Sequence, residues 1–408
     1  MSQAHTGLIG CEYCGAVYRR RVLAKGQIAV CTRCKAVLAR HSALRPADWL
    51  ALALAALAVF AIANAYPVAS MSAGGTVRSA TLLQAVAVTV GHGHMLVAVM
   101  VALSAFAVPL LQLCLLAWVL WPLAVGRRPA GFEPALRLLD GLRPWSMVPV
   151  FLLGVIVAVV KVSGSARVSA GAGLWGFAAL TVLLTVLGRL DADTLRGYVQ
   201  REGLQAGDPS PGPARAARKP DHLARTWALL LAAAILYVPA NVYPVMHVQG
   251  LTGASSPTIL GGVVQLWSLG SWDLAVIVFV ASVVVPLTKL LALALLAWAT
   301  THGRPASLVP RTRMYRMVEF IGQWSMLDVY VVILLAALAD FPGLMQISAG
   351  VGAAAFGVVV VLTMLAAMSF DPRAAWDAVA PGADALPPQR PRGHAYRTSR
   401  APSPEPAR

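Results

Sequence analysis

The sequence predicts an all-α polytopic membrane protein, with two tandem, parallel four-helix transmembrane modules behind a small N-terminal four-cysteine domain. Three observations predict it. Of the 408 residues, 58% are hydrophobic and only 12% are charged, a balance foreign to soluble domains. The apolar half that follows the N-terminus is written a second time further along the chain. Four cysteines stand in two C-x-x-C pairs ahead of the first apolar run.

The N-terminal element comes first. Cys11, Cys14, Cys31 and Cys34 form C-x2-C-x16-C-x2-C, the ligand spacing of a zinc ribbon. Four thiolates fill a tetrahedral ion and leave no position for substrate or activated water, so the expected cofactor, Zn(2+), is read as structural. The competing readings are disulfides, disfavoured in a reducing compartment, and a thiol redox pair. A ribbon of this size has little core of its own, so metal supplies its folding energy, and its expected task is to brace the cytoplasmic ends of the helices. The N-terminus is polar and lacks an apolar core followed by a cleavage site, so residues 1–46 are expected to stay on the cytosolic side. Cys114, within an apolar run, is read as a small buried residue.

Eight apolar segments follow, at 47–66, 93–123, 145–161, 172–190, 226–245, 272–300, 320–340 and 350–370. Most approach or exceed the roughly 20 residues that a helix needs to cross the hydrocarbon. Lys and Arg orient them, because these residues accumulate on the cytoplasmic side. Eight lie in 1–46, four in 126–143, seven in 189–225, four in 302–316 and six in 371–408, leaving only Arg78, Lys161, Arg167 and Lys289 elsewhere. Both termini are therefore expected in the cytoplasm. The net charge of +16 marks membrane orientation rather than nucleic acid, since no basic surface is interleaved with aromatics.

The duplication is explicit. Ala63-Asn64-Ala65-Tyr66-Pro67-Val68 recurs 177 residues later as Ala240-Asn241-Val242-Tyr243-Pro244-Val245, and the same offset carries Pro109 to Pro286 and Trp121 to Trp298. At an offset of 179, Trp145-Ser146-Met147 falls on Trp324-Ser325-Met326, and Ser169-Ala170-Gly171 on Ser348-Ala349-Gly350. Four spans per copy is an even number, so both copies enter from the same side and are parallel. The expected domains are the ribbon at 1–46, modules at 47–190 and 226–370, a linker without cysteines at 191–225, and a disordered tail at 371–408.

Ionisable residues inside lipid are costly and mark function or a partner. Lys289 lies mid-span, seven residues after Ser282 on one helix face, with Pro286 between them. Gln112 takes the place of Lys289 in the first copy. Asp328, with Ser325 one turn earlier, is its natural counterpart, and the first copy has Pro149 there. Thr363 adds a hydroxyl, whose plainer reading is a bond back to its own helix. Lys161 and Asp340 stand at outer span ends and read as interfacial anchors. Glu319 and Asp140 read as solvated helix starts, and Asn64 and Asn241 as caps that turn the chain.

With the ribbon, the duplicated N-x-Y-P-V, the proline-centred spans around Pro109 and Pro286 and the duplicated W-S-M, the chain resembles the paraquat-inducible protein A (PqiA/LetA) family. The resemblance covers nearly the whole chain apart from the tail. It implies a bacterial inner-membrane protein that works with periplasmic MCE-domain proteins, conduits for membrane phospholipid between two membranes. It also implies a polar transport cluster of Ser282, Lys289, Ser325, Asp328 and Thr363, with Lys161 contributed by the first module. One departure stands out: the family commonly carries a second ribbon before the second module, and residues 191–225 hold no cysteine.

Three functions compete at this level. The first is a lipid transport subunit without nucleotide hydrolysis, loading or extracting lipid for the MCE partner with a proton-linked or conformational step, since no Walker motif is present. The second is a passive scaffold for that partner. The third, a redox enzyme using the C-x-x-C pairs, has little behind it, and no HExxH, GxSxG or dinucleotide fingerprint supports other enzyme chemistry. The expectation is a protein that is not an enzyme.

Overall fold

The computed structural model describes residues 8–19, 23, 26–40, 44–73, 76–163, 167–201, 204, 222–250, 253–268, 270–301, 308–321, 326–338, 345–377 and 397–400. The N-terminal domain is two β-hairpins. β1 (Leu8–Gly10) pairs with β2 (Val17–Arg19), and β3 (Gln27–Val30) with β4 (Val37–Arg40), each hairpin enclosing one C-x-x-C pair.

The first repeat starts with α1 (Pro46–Ala65), whose chain then enters β5 (Ala69–Ala73), β6 (Thr76–Ala80) and the short α2 (Leu82–Gly91). A long helix follows, α3 (Met95–Val101) and α4 (Val108–Ala124), joined through a π-helical segment at Ala102–Ala107. α5 (Phe132–Leu142) and α6 (Val148–Ser163) form the third span, β7 (Arg167–Ala170) returns to the sheet, and α7 (Ala172–Leu187) and α8 (Ala192–Arg201) close the repeat.

The second repeat retraces these steps. It runs α9 (His222–Val242), β8 (Met246–Gly250), β9 (Gly253–Ser255), α10 (Ile259–Ser268), then α11 (Trp272–Phe279) joined to α12 (Val285–Thr301) through a π segment at Val280–Val284. α13 (Leu308–Ile321), α14 (Leu327–Leu338), β10 (Met345–Ala349), α15 (Val351–Ser369) and the single turn α16 (Arg373–Asp377) complete it.

Packing repeats as the sequence does. α1 buries Trp49, Ala53, Ala56, Phe60 and Ala63 on one stripe against α7 and α4. α9 buries Thr226, Leu230, Ala233 and Ala240, four of the positions 177 residues later, against α15 and α12. Alanine on these stripes lets helices approach closely, which is what drives association where lipid tails are as apolar as leucine. The two repeats meet through α6 and α14. There Phe151 and Tyr330, equivalent residues at the offset of 179, stack edge-on with centroids 5.5 Å apart. Tyr330 also donates to Ser104 Oγ in the first π segment at 2.7 Å.

Among the described residues six helices are long and apolar enough to cross a membrane, Pro46–Ala65, Met95–Ala124, Phe132–Val160, His222–Val242, Ala275–Thr301 and Val351–Ser369. A seventh is obtained if α7 and the start of α8, bent by 58°, count as one span. The expected span at 320–340 contains the 12-residue α14, with residues 322–325 and 339–340 outside the described set. α14 packs on α6, α2 and α15, and nearly all its described side chains are buried. The described helices make a multi-pass membrane protein, with Trp118, Trp121, Trp175, Leu231 and Val238 on its outer surface.

Each repeat also builds a three-stranded sheet from the segments between its helices. β5 sits between β6 and β7, and β8 between β9 and β10, all antiparallel. The repeated Tyr-Pro-Val and Ser-Ala-Gly turn out to be the two sides of one junction. Gly171 N–H donates to Val68 and Gly173 N–H to Pro67, while Gly350 donates to Val245 and Gly352 to Pro244. A Cβ at Gly171 would lie 2.0 Å from the Pro67 oxygen and one at Gly350 2.2 Å from that of Pro244, so only glycine fits.

Two further expectations change. Cys114 is exposed on the outer surface of α4, not buried, because an all-apolar helix does not announce which side faces lipid. The tail contributes α16, with Trp376 buried, and a strand β11 (Arg397–Arg400) paired antiparallel with β3; residues 378–396 lie outside the described set.

Candidate metal centre and buried polar residues

Each C-x-x-C pair sits in a tight turn that both hairpins build alike. Gly15 N–H donates to Cys11 and Cys11 N–H to Ala16, while Lys35 N–H donates to Cys31 and Cys31 N–H to Ala36. The turn needs a left-handed residue after the second cysteine, and Gly15 (φ 68°) and Lys35 (φ 63°) supply it. The two turns face each other, and Cys11, Cys14, Cys31 and Cys34 are all buried, with their sulfurs within 4.8 Å of one another. Cys11 and Cys34 Sγ are 3.4 Å apart, and Cys14 and Cys31 Sγ 3.6 Å. A tetrahedral ion with metal–sulfur bonds of about 2.3 Å sets sulfurs about 3.8 Å apart. The donor set therefore fits a metal ion with little movement.

The thiols share protons unequally. Hydrogen bonding with Cys14 draws the Cys11 thiol down to about 7, hydrogen bonding with Cys11 draws Cys31 down, and the Cys11 contact pushes Cys14 and Cys34 up. Such a cluster releases protons when a cation enters it. Tyr18 Oη, 3.2 Å from Cys31 Sγ and 3.0 Å from Thr32 Oγ1, adds a hydroxyl beside the sulfurs that the cysteine spacing does not reveal.

The intramembrane residues are less connected than the sequence suggests. Lys289 is buried on α12 at 2% exposure, and among the described residues Nζ has no hydrogen-bond partner. Ser282 is fully buried in the second π segment, and its hydroxyl donates to the Val278 carbonyl at 2.6 Å. Thr363 is buried on α15 and donates to the Val360 carbonyl at 2.9 Å. Both hydroxyls thus bond back to their own helices. Ser325 and Asp340 lie outside the described residues, as do the side chains of Asp328, Lys161 and Glu319.

Two features stand beside these, the burial of Gln112 and a pair of π segments, that the sequence did not reveal. Gln112, at the Lys289 position of the first repeat, is also buried, and its Oε1 has no partner among the described residues. The π segments at Ala102–Ala107 and Val280–Val284 place Ser104 and Ser282 in the same stretch of the two long helices, just ahead of Pro109 and Pro286. A π turn displaces the following residues by a fraction of a turn and is frequent at functional sites. The repeated proline, which leaves a carbonyl without its N–H partner, was the available signal. Asn64 and Asn241 do not cap as expected; each Nδ2 donates one turn back, to Phe60 and Tyr237.

An apolar cavity of about 50 Å³ lies between the repeats, lined by Val157, Ile259, Gly262, Leu266, Val331 and Leu335 among others. It is too small for a lipid in this conformation.

A family model described as paraquat-inducible protein A matches residues 47–196 and 223–380. The chain is 33% identical over 401 residues to the intermembrane transport protein PqiA of Escherichia coli (strain K12), covering 90% of this chain and 95% of that protein. It is 31% identical over 399 residues to lipophilic envelope-spanning tunnel protein A of the same organism, covering 90% and 91%. No solved structure matches.

Proposed function

Because the chain belongs to the paraquat-inducible protein A family, we propose that it is the inner-membrane subunit of an MCE-type intermembrane lipid transport system. It loads or extracts phospholipid for a periplasmic MCE-domain partner, and both its termini face the cytoplasm. The names of two relatives, an intermembrane transport protein and a lipophilic envelope-spanning tunnel protein, support the reading. In this reading the two repeats are tandem, parallel four-helix modules of 47–190 and 226–370, and the chain carries no catalytic site.

The observation that carries the mechanism is Lys289. A buried ammonium group without a described partner costs free energy in every conformation that keeps it so, and such groups persist where a second state or a transported proton engages them. Asp328 is the group assigned to meet it, with Ser282, Ser325 and Thr363 lining the path and Lys161 at the outer end of α6. Cys11, Cys14, Cys31 and Cys34 hold a structural zinc ion, which completes a closed four-thiolate shell.

The test is lipid transfer by variants that still assemble. Lys289→Met and Asp328→Asn, purified with the partner at wild-type yield, are expected to lose transfer of phospholipid to the partner. Transfer at the wild-type rate by both would leave the alternative, a passive scaffold, which the back-bonded Ser282 and Thr363 favour.

A further inference from the structure

The ribbon does not rest on the first repeat alone. Its buried core of Ile9, Cys11, Cys14, Ala29, Cys31, Cys34, Ala36 and Leu38 is completed by one residue from the far end of the chain, Trp376 of α16. The Arg33 guanidinium lies 4.5 Å from the Trp376 ring centroid, and Arg33 also donates to the Cys14 carbonyl at 3.4 Å. Trp376 Nε1 donates to Thr312 Oγ1 of α13 at 3.1 Å, and Arg373 Nε donates to the Glu12 carbonyl, inside the first C-x-x-C, at 2.8 Å. Tyr13, from the same turn, stacks edge-on against Tyr315 of α13 at 6.3 Å.

From there the contacts run inward. Tyr315 donates to the Ala367 carbonyl of α15 at 2.9 Å and packs with Phe370, Leu296 and Ala297 in one buried cluster that includes Tyr13 at its edge. Leu296 is on α12, seven residues and two turns beyond Lys289.

The first repeat closes differently. Its end helix α8 has ten residues and is held by the Arg196–Glu133 ion pair at 3.0 Å, by the Arg143–Asp191 pair at 2.8 Å just ahead of its first residue, and by Tyr198, which donates to the Leu44 carbonyl at 2.7 Å. α16 has five residues, and among the described residues no salt bridge holds it. What α8 does for the first repeat through its own length and charge, the ribbon does for the second.

We propose that Trp376 and Arg373 are positioning residues of the metal centre, and that the loaded centre in turn holds the ribbon-side ends of α12, α13 and α15. This rests on the reading of the four cysteines as a metal site. Coupling between two sites is reciprocal: if the metal orders α13 and α16, then damage to α16 loosens the metal.

The experiment uses the full chain, purified in detergent with zinc bound, and follows metal release to a chromogenic chelator. Residues that orient a first ligand shell commonly change metal affinity about 10- to 100-fold, so Trp376→Ala is expected to release zinc at least about tenfold faster, and Arg373→Ala faster to a smaller degree. Trp376→Phe, which keeps an aromatic face for Arg33 but loses the Nε1 bond to Thr312, is expected to retain zinc better than Trp376→Ala. Trp118→Ala, at an exposed site on α4, is expected to behave as wild type. Hydrogen exchange on the unmutated protein is the second readout: chelation is expected to raise exchange in Leu308–Ile321 and leave the α6–α14 contact unchanged. Zinc release from Trp376→Ala and Arg373→Ala at the wild-type rate, or unchanged exchange in Leu308–Ile321 after chelation, would overturn the proposal while leaving the metal site intact. A wild-type protein that holds no zinc would overturn the metal reading and this inference with it.

Discussion

Replacing Lys289 by methionine separates a working charge from a structural one. The side chain is 2% exposed, on a helix within the membrane, and its Nζ has no partner among the described residues. A lysine at the centre of a membrane helix costs about 2.5–3.5 kcal/mol, and methionine keeps the length of the stem without the charge. Lys289→Met is therefore expected to melt at the same temperature as wild type or higher, up to about 3 kcal/mol more stable, while transporting nothing. A structural ion pair predicts the opposite sign. Removing one partner of a buried pair strands the other and costs about 3–5 kcal/mol. The assay is thermal unfolding in detergent, followed by circular dichroism, for Lys289→Met, Asp328→Asn and the double variant, beside lipid transfer for each. A fall of that size in either single variant, recovered in the double, would refute the working-charge reasoning and make Lys289 and Asp328 a lock between helices.

Other consequences follow from the packing. Gly350→Ala places a methyl carbon 2.2 Å from the Pro244 oxygen, and overpacking of this kind costs about 1–3 kcal/mol; a clear drop in melting temperature is expected, whereas Gly262→Ala, with nothing within 4 Å, should leave melting unchanged or slightly raised. Tyr330→Phe removes the 2.7 Å bond to Ser104. Because Ser104 still donates to Met100 at 2.7 Å, the loss should be limited to about 0.5–1.5 kcal/mol, read from the same melts. Cys11→Ser combined with Cys14→Ser should abolish zinc content by atomic absorption and open residues 8–40 to protease, with the membrane helices still inserted. Unchanged metal and protease resistance would remove the structural-metal reading.

Much of the fold was legible because the chain states it twice. The offsets of 177 and 179 mark which residues are equivalent, and the structure places Ala53 and Leu230, or Phe151 and Tyr330, in matching environments. Spacing alone identified the cysteine cluster, since two C-x-x-C turns leave their sulfurs few places to go. The sheets were hidden. Ala69–Ala73 does alternate apolar residues with serine, but Ala69–Ala73 and Thr76–Ala80 are only five residues each and mostly small, with few of the β-branched and aromatic residues that mark a strand. They pair because glycine and proline at the ends of adjacent spans bring backbones together, a tertiary effect. Hydrophobicity likewise finds an apolar run but not its surroundings: α14 is enclosed by protein and Cys114 of α4 is exposed.

At the candidate site the sequence singled out Lys289 by its charge in an apolar run, and the structure buries it on α12. Gln112 escaped notice as more than its counterpart because an amide carries no charge to stand out in an apolar run. Trp376 escaped for a different reason. It lies in a segment too polar and proline-rich to suggest a core, and it is buried because the ribbon, at the other end of the chain, supplies the other half.

The central claim is that this chain handles lipid for a periplasmic MCE-domain protein. Its most direct test is purification from native membranes, with mass spectrometry of bound protein and bound lipid together. The account predicts an MCE-domain protein and phospholipid in the wild-type preparation, with the lipid lost and the protein kept when Lys289 is methionine. A preparation with neither, from membranes that contain both, would contradict it.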